Sequence, residues 1–158
     1  MTKNPSLYEP TSRSLPISLL QTRELIMEVV RPMLVRHSIT EQQWRVLRVI
    51  SEDVRLDAST VAARACLLAP SVTRIVRTLT KRGLISSVRD VSDKRRTVLQ
   101  LTKAGDAFLE KVSPESAEIF AKLRRTVGAE RWEQLTTLLS DIRSDLQATD
   151  TDQSDAKP

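Results

Sequence analysis

The sequence has one cysteine, one histidine, three glycines and few aromatic residues, and each shortage removes a class of protein. Cys66 alone cannot form an intramolecular disulfide framework. With His37 as the one imidazole, it leaves no ligand set for a structural zinc, and no metal or cofactor is expected. Three glycines argue against a glycine-rich phosphate loop and against an all-β fold. Nucleophilic catalysis needs a nucleophile, a base and an orienting group; with one histidine and no matching motif, an enzyme is not expected. No apolar run approaches the roughly 18 residues of a membrane span. No apolar stretch follows a basic start at the N-terminus, so no secretory signal is expected and the expected compartment is the cytoplasm. With 3% aromatics, the core has to be built from Leu, Val, Ile and Ala.

What is present is helical periodicity. Residues 1–14 are polar, carry Pro5 and Pro10, and read as a flexible arm. From Leu15, the residues Leu19, Leu20, Arg23, Ile26, Met27, Val30 and Leu34 recur at spacings of three and four, an apolar stripe that includes an arginine. Pro32 inside it predicts a kink. Thr40 and Gln43 form a capping box ahead of a second helix with Trp44, Leu47, Val49 and Ile50 on its apolar side. A short third helix opens at Ala58 or Ser59 and holds Val61, Ala62, Ala65 and Cys66. A fourth begins near Ala69, has Pro70 in its first turn, turns Val72, Ile75, Val76 and Leu79 inward, and ends on Gly83 as a left-handed cap. Two stretches, 84–90 and 96–102, alternate apolar and polar residues as half-buried strands do, with a charged hairpin loop between them. Helical period returns from Thr102 to about Val127, and a last amphipathic helix ends near Gln147.

The predicted class is mainly α: a winged helix-turn-helix in the order α-α-α-α-β-wing-β-α-α. It forms one domain over 15–147, with a DNA-binding lobe at 38–101 and long helices at 15–37 and 102–147. Residues 148–158 read as a disordered acidic tail. The small central module cannot cover the apolar faces of both end segments, which implies a partner subunit.

Charge is unevenly spread. The chain carries a formal +5, compatible with nucleic acid or an anionic surface. Residues 71–96 hold Arg74, Arg77, Lys81, Arg82, Arg89, Lys94, Arg95 and Arg96 against Asp90 and Asp93. That segment alone has a surplus of six, so the remainder is about one charge negative. Such localisation on one helix and a hairpin is the electrostatic footprint of a DNA-binding face. Ser71, Thr73, Arg74 and Arg77 at the front of the fourth helix suit major-groove edges. Arg95 at the hairpin tip suits a narrow minor groove. Ser71, Lys81 and Arg96 suit phosphates, with Arg89 and Lys94 in the same basic stretch.

Segment 87–108, "SVRDVSDKRRTVLQLTKAGDAF", resembles the wing signature of the multiple-antibiotic-resistance regulator (MarR) family, on Asp93, Arg95, Leu101, Thr102 and Gly105. Residues 69–85 resemble that family's recognition helix. The resemblance covers roughly 15–145 and implies that Asp93 orients Arg95 toward the minor groove. It further implies a homodimer on palindromic double-stranded operator DNA. Residues 19–50 and 63–75 are similar, within the family, to the repressors of homoprotocatechuate (4-hydroxyphenylacetate) catabolic operons. That similarity implies a repressor of an aromatic-catabolism operon, released by a phenolic or aromatic carboxylate or its coenzyme A thioester.

Effectors in the family bind where the dimerisation helices meet the DNA-binding lobe. Arg23 and Met27 lie on the stripe of the first helix, and Trp44 and Arg48 are four apart on the second. They resemble a salicylate-binding pocket of the family, with Arg74 at its base: guanidinium for the acid, indole for the ring. Trp44 equally suits a core position, and Arg23 an ion pair. Cys66, in an apolar run, reads as a packed small hydrophobe rather than a redox sensor. His37 follows Arg36 at a helix C-terminus, where cations favour the dipole. Two rival functions are a nucleoid or adaptor protein indifferent to sequence and a regulator blind to ligands.

Overall fold

The computed structural model describes residues 11–53, 55–89 and 97–155. Asp93, Lys94, Arg95 and Arg96, named above for the wing, lie outside the described residues. So does most of the expected N-terminal arm; its end, Thr11–Arg13, is a turn of 3-10 helix.

The chain divides into two compact units, Met1–Ala117 and Glu118–Pro158. In the first, α1 (Leu15–Arg36) continues through Pro32. It closes in a Schellman motif: Ile39 N–H reaches the Leu34 carbonyl at 3.0 Å and Ser38 N–H the Val35 carbonyl at 2.9 Å. Ser38 takes the left-handed conformation usually left to glycine, φ 51°. The predicted capping box opens α2 (Glu41–Ser51), with Gln43 N–H to Thr40 Oγ1 at 3.2 Å and Thr40 N–H to Gln43 Oε1 at 3.1 Å. A two-residue strand, β1 (Leu56–Asp57), follows. It is too short to leave a period in the sequence. Asp57 then caps α3 (Ala58–Arg64) through Thr60 N–H at 2.8 Å.

The recognition-helix candidate is α4 (Ala69–Lys81). Gly83, φ 71°, ends it as expected, with Leu84 N–H on the Leu79 carbonyl at 3.0 Å. The strands β2 (Ile85–Arg89) and β3 (Thr97–Leu101) pair antiparallel in the register Arg89↔Thr97 to Ile85↔Leu101, and β1 adds to the far side of β3, giving the order β1-β3-β2. Four helices and a hairpin in this order are a winged helix-turn-helix. The core is aliphatic as expected. Met33, Val46, Leu47, Val61, Leu79 and Val112 are fully buried, and Trp44 is the one buried aromatic among the described residues.

Two expectations change. Cys66 is exposed, not packed. It is the left-handed residue, φ 51°, of a Schellman turn in which Leu67 N–H reaches the Ala62 carbonyl at 2.9 Å. That conformation takes the residue off the apolar face of α3. The last helix also runs further than Gln147. After α5 (Lys103–Val127) and Gly128, φ 94°, α6 spans Ala129–Asp155. No proline or glycine interrupts it, so the backbone continues through the polar residues that composition had marked as disordered. Among the described residues no helix is long and apolar enough to cross a membrane.

Large apolar side chains stay uncovered on both end segments. On α1 they include Leu15, Leu19, Leu20, Leu25 and Val29. On α6 they are Leu135, Leu138, Leu139, Ile142 and Leu146, spaced as one helix face.

Candidate nucleic-acid interface and effector cavity

One side of α4 is core: Val72, Ile75 and Leu79 are buried. The opposite side exposes Thr73, Arg74, Arg77 and Lys81, while Ser71 is half-buried. Hydrophobic burial against the α2–α3 layer therefore turns the basic row outward. The Thr73 hydroxyl donates back to the Ala69 carbonyl at 3.1 Å and the Thr78 hydroxyl to the Arg74 carbonyl at 3.1 Å, so both donors are engaged within the helix. Arg89 is exposed at the end of β2, where the hairpin leaves the described residues.

Arg82 belongs to the same basic stretch but is committed to structure. Its Nη1 donates to the Ser38 carbonyl at 3.0 Å, and its guanidinium lies 5.8 Å from the Phe108 ring centre. It secures the turn after α1 to the end of α4. His37 joins this region edge-on to Phe108 and bonds Glu115 at 2.9 Å. Arg36, and after it His37, hold the Glu115 carboxyl below the usual carboxylate range.

A cavity of about 680 Å³ opens between α1, the N-terminal turn of α2 and α4. Arg23, Glu41, Gln43, Arg45, Arg74 and Thr78 are among its lining residues. Three guanidiniums thus face one carboxylate, at a helix N-terminus whose partial charge is also positive. Glu41 is paired with Arg23, lies 3.6 Å from Arg31 and 3.9 Å from Arg45. Glu24 completes the network, its carboxyl lowered by Arg31 first and by Arg23. Arg45 donates to the Ala65 carbonyl at 2.9 Å, but its buried Nε has no partner among the described residues. The structure therefore joins Arg23 to Arg74 and adds Glu41 and Arg45, which sequence periodicity did not single out.

It does not join Arg23 to Trp44 and Arg48. Trp44 is buried in the core side of α2. Arg48 is exposed beside a second cavity of about 520 Å³, lined also by Ser51, Leu101, Leu109 and Glu110. Arg48 lies seven positions after Glu41, about 10 Å along the axis, so Arg23 meets one end of α2 and Arg48 serves the other. Met27 is half-buried and lines neither cavity. Among the described residues no cluster of His, Cys, Asp or Glu could hold a metal ion.

Comparison with known proteins agrees with this architecture. The model of the MarR family matches residues 39–97. The homoprotocatechuate degradative operon repressor of Escherichia coli is 38% identical over 129 residues, covering 82% of this chain and 87% of the relative. The HTH-type transcriptional regulator FarR of Neisseria gonorrhoeae is 36% identical over 129 residues, 82% of this chain and 88% of its own. Among solved structures, NadR in complex with 4-hydroxyphenylacetate superposes with a TM-score of 0.79 at 35% identity, over 85% of this chain and 98% of that one.

Proposed function

Because the chain belongs to the MarR family of transcriptional regulators, we propose that it is a homodimeric repressor of an aromatic-catabolism operon, bound to palindromic DNA and released by an aromatic carboxylate or its coenzyme A thioester. The observation that carries the reading is the basic row of α4. Arg74, Arg77 and Lys81 are exposed opposite a buried apolar face, ahead of a hairpin segment whose sequence adds Arg89, Lys94, Arg95 and Arg96. In a symmetric dimer two such helices enter successive major grooves, about 34 Å apart.

The effector reading rests on the 680 Å³ cavity, whose size suits a phenolic acid. The acid's carboxylate meets Arg23 and Arg45, and its ring lies toward Ile75, another lining residue. Arg74 belongs to both surfaces, lining the cavity and standing in the DNA-facing row. A carboxylate that pairs with Arg74 withdraws that guanidinium from the groove, so ligand and operator draw on one residue. NadR's complex with 4-hydroxyphenylacetate and the operon named for the Escherichia coli relative both favour a phenolic acid as the effector class.

The test is a titration of the upstream intergenic DNA at fixed salt, with and without a panel of phenolic acids. Tight, palindrome-dependent binding released by one acid is the expected result. Binding indifferent to sequence would replace the repressor reading with a nucleoid one. Arg77→Ala is expected to weaken operator binding about 10- to 100-fold, the loss of one bidentate base contact, with an unchanged melting temperature. Arg23→Gln is expected to leave operator affinity within about twofold while raising the acid concentration for release about tenfold, one charge-assisted hydrogen bond. A normal release curve for Arg23→Gln together with a blunted one for Arg48→Gln would move the acid to the second cavity.

A further inference from the structure

The first residue of the recognition segment breaks a local rule. Helix N-caps favour Ser, Thr, Asp or Asn, whose side chains accept a free N–H of the first turn. The N-cap of α4 is Leu68, which makes no side-chain cap. Its carbonyl alone accepts Ser71 N–H at 2.9 Å and Val72 N–H at 3.1 Å. Leu68 is also the most exposed of the large apolar side chains among the described residues, at 78%. Neither folding nor capping accounts for leucine here, since a polar residue would serve the helix better and this side chain is barely covered.

Its position supplies the account. The N-terminal end of a recognition helix is the part that approaches base edges. Leu68 stands at the N-terminal tip of α4, one turn ahead of Val72 and before Ser71, Thr73 and Arg74 in the chain. The one apolar feature of a major-groove edge in unmodified DNA is the C5 methyl group of thymine. We propose that Leu68 is a specificity-determining residue that packs against a thymine methyl in each operator half-site. This rests on the operator-binding reading above. Arg74 and Arg77 present donors only, so they select bases by acceptor pattern and leave a thymine methyl unread. An aliphatic contact ahead of them adds a base preference that no charge on this helix can express.

The experiment replaces thymine by deoxyuridine, one position of the half-site at a time, which removes the C5 methyl and leaves base pairing intact. Each duplex is titrated with wild-type protein, Leu68→Ala and Leu68→Asn. Wild type is expected to lose about fourfold affinity per half-site at one thymine, the effect of one methyl group leaving an apolar contact. Leu68→Ala is expected to bind thymine and deoxyuridine duplexes within about twofold of one another at that position, and Leu68→Asn to do the same. Asparagine caps α4, so Leu68→Asn melts at or above the wild-type temperature, and its lost discrimination cannot be a folding defect. A flat deoxyuridine profile for wild type on a tightly bound operator overturns the role of Leu68 and leaves the repressor reading standing. An equal methyl effect in all three proteins assigns the methyl to another residue and also overturns it. Wild-type binding that is indifferent to operator sequence overturns the repressor reading and this proposal with it.

Discussion

Gly105→Ala is expected to destabilise the protein by about 3 kcal/mol, the upper end of overpacking effects, and to lower the melting temperature by about 10 °C. Gly105 is buried in the first turn of α5. A Cβ there would lie 2.0 Å from the Leu84 carbonyl oxygen, 3.1 Å from its carbon and 3.2 Å from Leu101 Cδ2. The nearest of these is backbone, and it cannot retreat freely. The Leu84 carbonyl accepts Thr102 N–H at 3.1 Å, the Thr102 hydroxyl donates to the Gly83 carbonyl at 2.5 Å, and Gly105 N–H donates to that same hydroxyl at 3.0 Å. The start of α5 is thereby stitched to the joint between α4 and β2. Alanine would gain about 1 kcal/mol of helix propensity over glycine, which is smaller than the cost of moving a hydrogen-bonded backbone by an ångström. Urea unfolding followed by circular dichroism reads the effect. A loss below about 1 kcal/mol would mean that the joint yields easily. Since the joint sets the angle between α4 and the hairpin, the folded fraction of this variant should also bind its operator less tightly.

The second large effect concerns the homodimer proposed above. Leu138→Asp is expected to yield a monomer at micromolar concentration and to reduce operator affinity by about 100-fold or more, because a buried unpaired charge costs several kcal/mol and a symmetric interface meets it twice. Leu138 is 58% exposed within the chain, so aspartate there harms no core contact of the isolated subunit. The residues Leu135, Leu139, Ile142 and Leu146 extend the same face of α6. Soluble proteins seldom leave such a stripe in water. A monomer can offer one α4 to one half-site, whereas a dimer offers two at once, and the second contact is then intramolecular. Sedimentation equilibrium and operator titration on the same sample read both consequences. An unaltered dimer would assign the interface to the other uncovered stripe, on α1.

Much of the fold was legible along the chain, because it rests on local chemistry. The capping box at Thr40 and Gln43, Pro70 in the first turn of α4, Gly83 at its end and the alternating flanks of the hairpin are short-range signals, and the structure has each in place. The shortage of aromatics foretold an aliphatic core. Residues 71–96 collect the surplus charge, and the structure exposes Arg74, Arg77 and Lys81 of that stretch on one side of α4.

Tertiary packing decided what those signals could not. Arg82 looks like one more basic residue of that segment until its contacts with Ser38 and Phe108 are seen, and Ser38 is 44 residues away in sequence. The family resemblance grouped Arg23 with Met27, Trp44 and Arg48, with Arg74 at the base; the way α1 crosses the first turn of α2 keeps Arg23 with Arg74, adds Glu41 and Arg45, and leaves Trp44 in the core. Cys66 sits in an apolar run, yet the sharp turn from α3 into α4 puts it on the surface. By itself the sequence determined the helices and the two hairpin strands, though not the two-residue β1 or the end of α6, and it determined where charge collects, since periodicity, caps and charge act over a few residues. Only the tertiary structure decided which side chains share a cavity and which are left for solvent or a partner, because that depends on how distant faces meet when the core closes.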